Sequence, residues 1–200
     1  MRKGLDRKAV VESAMQLIDK NGFEAFSMTA LAGAMGIKTA SLYNHIDNIG
    51  DLLGEVSMRA AVMMNGAAEE AMKGKRRKDA LHALAFSLWD YARKHPGLYH
   101  LSVRGTMDGN YSEVKAETMR VLDPISEAIC QYELTCEQKV HWHRIIRSVG
   151  YGFILHETSN AFSLKEYNTA DTFCIVVDEL HNALCALEAE NKSNNTEGSL

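Results

Sequence analysis

Proline is almost missing from this chain, with 2 in 200 residues, and glycine is modest at 14. So few breaking residues exclude a many-turned β architecture and favour long helices, which only Pro96 and Pro124 can interrupt sharply. The 4 cysteines, at positions 130, 136, 174 and 185, have neither CxxC nor finger spacing, so no disulfide framework or zinc module is predicted. The opening residues MRKGLDRK lead into no apolar segment, and the expected setting is a reduced, cytoplasmic one. No apolar run approaches the roughly 18 residues of a membrane span, so a membrane is not an expected partner. Excess positive charge is lacking too: the net charge of -4 argues against a protein that coats nucleic acid indiscriminately. Locally the balance differs. Residues 1–50 carry six Lys and Arg against five acids, whereas 51–200 carry 16 against 21.

Catalytic signatures are missing as well. No nucleophile motif, phosphate loop or Glu-x-x-His pair occurs, and no catalytic residue, metal or cofactor is predicted. His141 and His143 are two apart, so a helix points them to different faces. His181 and Cys185 share a face, but no third or fourth ligand accompanies them.

What is present is helical periodicity. Val10, Val11, Ala14, Leu17 and Ile18 recur at three- and four-residue steps, predicting an amphipathic helix over 6–20 that Asn21-Gly22 ends. Ser27 is a good N-cap for a second helix with Leu31, Ala32 and Met35 inward, closed by Gly36. A third helix is expected from Thr39 through Ile46. Two helices of about eight residues across a Gly-containing turn of about three form a helix-turn-helix. A long helix follows from Asp51 to about Met72, then a turn at Gly74 and Lys75-Arg76-Arg77-Lys78. The next helix carries Leu81, Leu84, Ala85, Leu88 and Ala92 and ends at His95-Pro96-Gly97. A short apolar segment (Leu98, Tyr99, Leu101, Val103) and a polar loop at 108–110 come next. A helix is expected over 112–132, kinked or broken at Pro124. Apolar helices over 136–162 and 171–189 complete the body, and 191–200 is polar enough to be read as a disordered tail. The domains expected are therefore 1–50, a three-helix unit carrying the helix-turn-helix, and 51–190, a larger helical body, in an all-α protein.

In the third helix Leu42 and Ile46 fall together and pack it down, while Thr39, Ala40, Tyr43 and Asn44 share an arc that can face a groove. Asn pairs bidentately with adenine, Ala and Thr methyls meet a thymine methyl, and a Tyr hydroxyl reaches phosphate. Ser41 and His45 lie on the flank, within reach of backbone oxygens. The alternative is that Tyr43 and His45 are partly buried polar residues of a small bundle, and spacing leaves both readings open.

The stretch from Val10 to Leu53 resembles the N-terminal domain of tetracycline-repressor (TetR-like) regulators. The resemblance rests on Asn21-Gly22-Phe23, Ser27-Met-Thr-Ala-Leu-Ala32, Met35-Gly36-Ile37 and Leu42-Tyr43-Asn-His45. It implies that Thr39 and Ala40 approach bases and that Tyr43 and His45 hold phosphates. Ser27, Thr29, Lys38, Ser41 and Asn44 complete the DNA-facing set. Ile49 stands where the family usually carries a lysine.

His95-Pro96-x-Leu98-Tyr99 and Trp142-His143…Gly150 resemble the WHG-type branch of that family. The resemblance implies a homodimer through residues 136–189, with Gly150 and Gly152 letting helices approach closely. Since one such helix buries too little to be selective, two half-sites of a palindromic double-stranded operator are expected. An unknown small-molecule effector is expected in an apolar, aromatic pocket. Its candidate lining is Phe86, Trp89, Tyr99, Met107, Met119, Trp142, His143, Arg147 and Tyr151. The alternatives are a DNA-binding dimer with no effector, or a helical interaction protein that has lost DNA binding.

Overall fold

The computed structural model describes residues 5–107, 123–164 and 166–197. Among these, nine helices and no strand occur: α1 Arg7–Asn21, α2 Met28–Met35, α3 Thr39–Leu42, α4 Ile49–Met72, α5 Lys78–Lys94, α6 Pro96–Met107, α7 Pro124–Ile129, α8 Cys136–Thr158 and α9 Thr169–Glu197. The fold is all-α, as the sequence predicts. Two compact units emerge, residues 1–64 with 91–121, and 65–90 with 122–200.

In the first unit side chains finish the helices, Ser27 at the cap the sequence predicts and Asp6 one residue before α1. The Asp6 carboxylate accepts the Ala9 N–H at 2.7 Å, and the Ser27 hydroxyl accepts that of Ala30 at 3.1 Å. Gly36 ends α2 at φ 66°, a left-handed conformation that costs glycine little. The core joins Val10, Val11, Ala14 and Ile18 of α1 to Leu31 and Ala32 of α2, Leu42, Ile46, and Leu52, Val56 and Ala60 of α4. From α6 come Leu98 and Leu101. The predicted short apolar segment after Pro96 is thus a full helix.

The third helix is shorter than expected. It runs from Thr39 to Leu42 and relaxes into turns at 43–45. Polar side chains beyond it explain the difference. Asn48 accepts the Asp51 N–H at 2.9 Å and Asp51 accepts that of Asp47 at 3.3 Å, turning the chain into α4 before α3 can continue.

In the second unit the core gathers Ala68, Met72, Leu81, Leu84, Ile125, Ile129, Tyr132, Ile146, Val177 and Leu184. Of the kink or break expected at Pro124 the described residues show a break, since Pro124 starts a helix. Asp123 is extended (φ -96°, ψ 102°) and caps Ile125 N–H at 3.0 Å, so a helix through Pro124 is not formed. Helix α9 continues to Glu197, across residues read from composition as a disordered tail. Contacts composition cannot show hold its far end: the Asn191 amide donates to Gln138 Oε1 at 2.9 Å and to the Glu133 carbonyl at 3.2 Å.

Candidate nucleic-acid interface

The short α3, which with the turn after it carries most of the candidate DNA-facing residues, is anchored from below. Leu42 is fully buried and Ile46 nearly so. Lys38, Ala40, Tyr43 and Asn44 are exposed, while Thr39, Ser41 and His45 are half-buried beside them. Tyr43 keeps 50% of its surface in solvent, so the alternative of a partly buried core tyrosine does not describe it. Ser27 and Thr29, at the start of α2, are exposed too. Ser27 already spends one lone pair on its cap.

Three features of this unit went unread in the sequence. Arg7 donates from Nη1 and Nη2 to the two oxygens of Asp51, each at 2.8 Å, and from Nε to Glu55 at 2.8 Å. His95 Nδ1 meets the Asp19 carboxylate at 2.8 Å, joining the α5–α6 turn to α1. Gly97 sits against the Ile18 backbone. Lone charged residues at such separations carry no periodic signal, whereas the glycine after His95-Pro96 is visible but in the sequence marks only a helix stop.

The proposed effector-lining residues are distributed differently. Phe86 and Trp89 lie in an aromatic cluster with Phe153 and Phe173, ring centroids 5.2–6.0 Å apart. Trp89 Nε1 donates to Glu157 at 3.0 Å. Phe153 and Phe173 carry no signal of their own in the sequence, because in apolar helices they read as filler. Trp142 packs half-buried against the second core, and Tyr151 is half-buried further along α8. His143 bonds the Asp123 carboxylate, and Arg147 Nη2 lies 3.8 Å from the same oxygen. Burial pushes the Asp123 carboxyl up, but His143 and Arg147 together hold it below the usual carboxylate range. Tyr99 is buried in the first unit. Met107 ends α6, and Met119 lies outside the described residues.

His181 and Cys185 do face each other, Sγ lying 3.6 Å from Nε2. Among the described residues no three His, Cys, Asp or Glu side chains converge as metal ligands, and no helix is long and apolar enough to cross a membrane.

A capped helix, a glycine turn and a short exposed polar helix define the helix-turn-helix DNA-binding regulators. Residues 10–56 match the family of bacterial regulatory proteins of the tetR type, and residues 81–180 match the tetracyclin repressor-like C-terminal domain. The chain is similar to the HTH-type transcriptional regulator Rv0681 of Mycobacterium tuberculosis, 31% identical over 76% of this chain and 70% of that protein. Its fold matches BioQ in a complex with double-stranded operator DNA (TM-score 0.69, 20% identity, 92% and 99% of the two chains). It also matches TetR-Q116A of Acinetobacter baumannii with minocycline (TM-score 0.69, 16% identity, 92% and 99%). The chain belongs to the tetR family of DNA-binding transcriptional regulators.

Proposed function

We propose that this chain is a homodimeric repressor that reads a palindromic double-stranded operator and leaves it when a small molecule occupies its helical body. The carrying observation is the polar set from Lys38 to His45, exposed or half-exposed, on a segment pinned by Leu42 and Ile46. In this reading Thr39, Ala40 and Asn44 meet base edges, and Ser27, Thr29, Lys38, Ser41, Tyr43 and His45 hold phosphates. Residues 1–50 are the reading head and 51–190 the sensing and pairing body, working in the cytoplasm.

Pairing through residues 136–189 is supported by apolar side chains left in solvent on the subunit alone. Val140, Ile145, Val149 and Leu155 of α8 and Ile175 of α9 are all exposed, an arrangement a lone soluble subunit has no use for. Release by an effector among Phe86, Trp89, Trp142, His143, Arg147 and Tyr151, all in the second unit, needs differential binding of a few kcal/mol. A second reading, a dimer without an effector, is favoured by the tight stacking of Phe153 on Phe173 at 4.5 Å. A metabolite screen by thermal shift separates the two, since only the first gives a stabilising compound.

The test of DNA reading is a gel-shift titration with the tightest duplex selected by the full chain from a random pool. One lost hydrogen bond costs about 1 kcal/mol per subunit, so Tyr43→Phe weakens a dimer by about 2 kcal/mol, or thirtyfold. His45→Ala is expected to do the same. Unchanged affinity in both variants, or a monomer in sedimentation, overturns the reading.

A further inference from the structure

Arg7 is the first residue of α1, three positions before the first buried one, Val10, and its charge alone reads as one more phosphate contact. Its geometry says otherwise. The guanidinium forks onto Asp51 with two bonds of 2.8 Å, and its Nε reaches Glu55 at 2.8 Å. Glu55 in turn takes Arg59 Nη2 at 2.5 Å, so two cations and two carboxylates close a neutral network. A fork bound bidentately in this way is fixed in direction, which a lysine ammonium is not.

The network reaches the recognition segment at both sides of its exit. Arg7 Nη1 also lies 3.4 Å from the His45 carbonyl, and Asp51 Oδ2 accepts the Asp47 N–H at 3.3 Å. One ion pair therefore binds the start of α1, the start of α4 and the backbone that leaves the DNA-facing turn. These groups are 44 and 38 residues from Arg7 in the chain, so no local element could impose the placement.

We infer that Arg7, Asp51 and Glu55 are positioning residues for DNA reading: they set where the Thr39–His45 segment points and contribute specificity, not phosphate attraction. The inference rests on the DNA-reading role of that segment. Base-edge hydrogen bonds are lost when a donor is displaced, whereas attraction to phosphate is long-ranged and tolerates displacement. Loosening the network thus lowers affinity for the selected duplex and leaves affinity for unrelated DNA in place. The two acids give the sharper case. Replacing a carboxylate beside DNA with an amide removes repulsion, so charge alone predicts tighter binding to every duplex.

The experiment titrates the full chain and its Arg7→Lys, Asp51→Asn and Glu55→Gln variants against two duplexes of equal length, one selected from a random pool and one unrelated, at several salt concentrations. Thermal melts confirm that each variant is folded at the assay temperature. Arg7→Lys is expected to lose about tenfold for the selected duplex, the size of one misaligned base-edge pair, with the unrelated duplex and the salt slope unchanged. Asp51→Asn and Glu55→Gln are expected to lose affinity for the selected duplex while gaining for the unrelated one. Wild-type affinity in Arg7→Lys with the selected duplex overturns the inference and leaves the DNA-reading role standing. Equal losses on both duplexes, or tighter binding of Asp51→Asn to both, overturn it as well. A wild-type chain that selects no duplex overturns the DNA-reading role together with it.

Discussion

Gly97→Ala is expected to lower the unfolding free energy by ~2–3 kcal/mol, the range of an overpacked core, in a urea titration followed by circular dichroism. A Cβ at Gly97 would stand 2.5 Å from the Ile18 carbonyl oxygen and 3.2 Å from its carbon and Cγ2. That oxygen cannot step aside, because it also accepts the Gly22 N–H at 2.9 Å that closes α1. Helix α6 would have to move off α1 instead, and three anchors oppose it: Leu98 and Leu101 are buried in the same core, and His95 holds Asp19. Gly150 and Gly152 make the contrast. Within the subunit a Cβ at either meets nothing inside 4 Å, so alanine there gains up to about 1 kcal/mol of helix propensity. If a second subunit packs on that side of α8, the same alanines weaken the dimer while stabilising the chain. A Gly97→Ala protein as stable as wild type would mean that α6 is not seated on α1 as described.

How much of this was legible depends on how far apart the deciding residues lie. The helix-turn-helix is legible nearly residue by residue, because each of its signals acts within four positions: Gly22 after Asn21, Ser27 on Ala30, Gly36 after Met35. Leu42 and Ile46 as anchors follow from their spacing alone, whereas the exposure of Tyr43, which spacing leaves open, is seen only in the fold. What went unread is set at long range. The early end of α3 depends on Asp51, whose carboxylate Arg7 holds from the first turn of α1. The length of α9 depends on Asn191 meeting Gln138 and Glu133, more than fifty positions earlier. Pro124 had a local meaning, the first residue of a helix behind an Asp cap, but a periodic apolar pattern on either side masked it. The aromatic cluster is a different failure: Phe153 and Phe173 share no spacing, and only the packing of two helices makes them neighbours.

Arg77 shows what such distance conceals, and it carries the second large prediction. In the sequence it is one of four consecutive cations in a turn. In the fold it adopts φ 50°, a left-handed backbone that a non-glycine residue pays for. Its backbone N–H donates to Gln131 Oε1 at 2.5 Å, and its guanidinium lies 4.5 Å over the Tyr132 ring and donates to Glu188 at 2.7 Å. Glu188, 111 positions on, is nearly buried and also accepts the Glu133 N–H at 2.8 Å. The Arg77 bond, then the Glu133 N–H, pull the Glu188 carboxyl down to about 2 against the opposing effect of burial. Arg77→Gln leaves that carboxylate without its cation. Such a loss can reach several kcal/mol at a buried pair, but the guanidinium is 38% exposed, so about 1–2 kcal/mol is expected at neutral pH. The folded carboxyl titrates below the unfolded one. Its contribution is therefore complete above pH 4.5, fades as pH falls towards 2, and takes the difference between wild type and Arg77→Gln with it. Arg77→Gly is expected to be about 1 kcal/mol more stable than Arg77→Ala, since glycine alone relieves the left-handed backbone. Urea titrations of the four proteins at neutral and acid pH measure both effects. A wild-type advantage over Arg77→Gln that is as large near pH 2 as at pH 7 would assign it to the Tyr132 ring and Gln131 instead of to the ion pair.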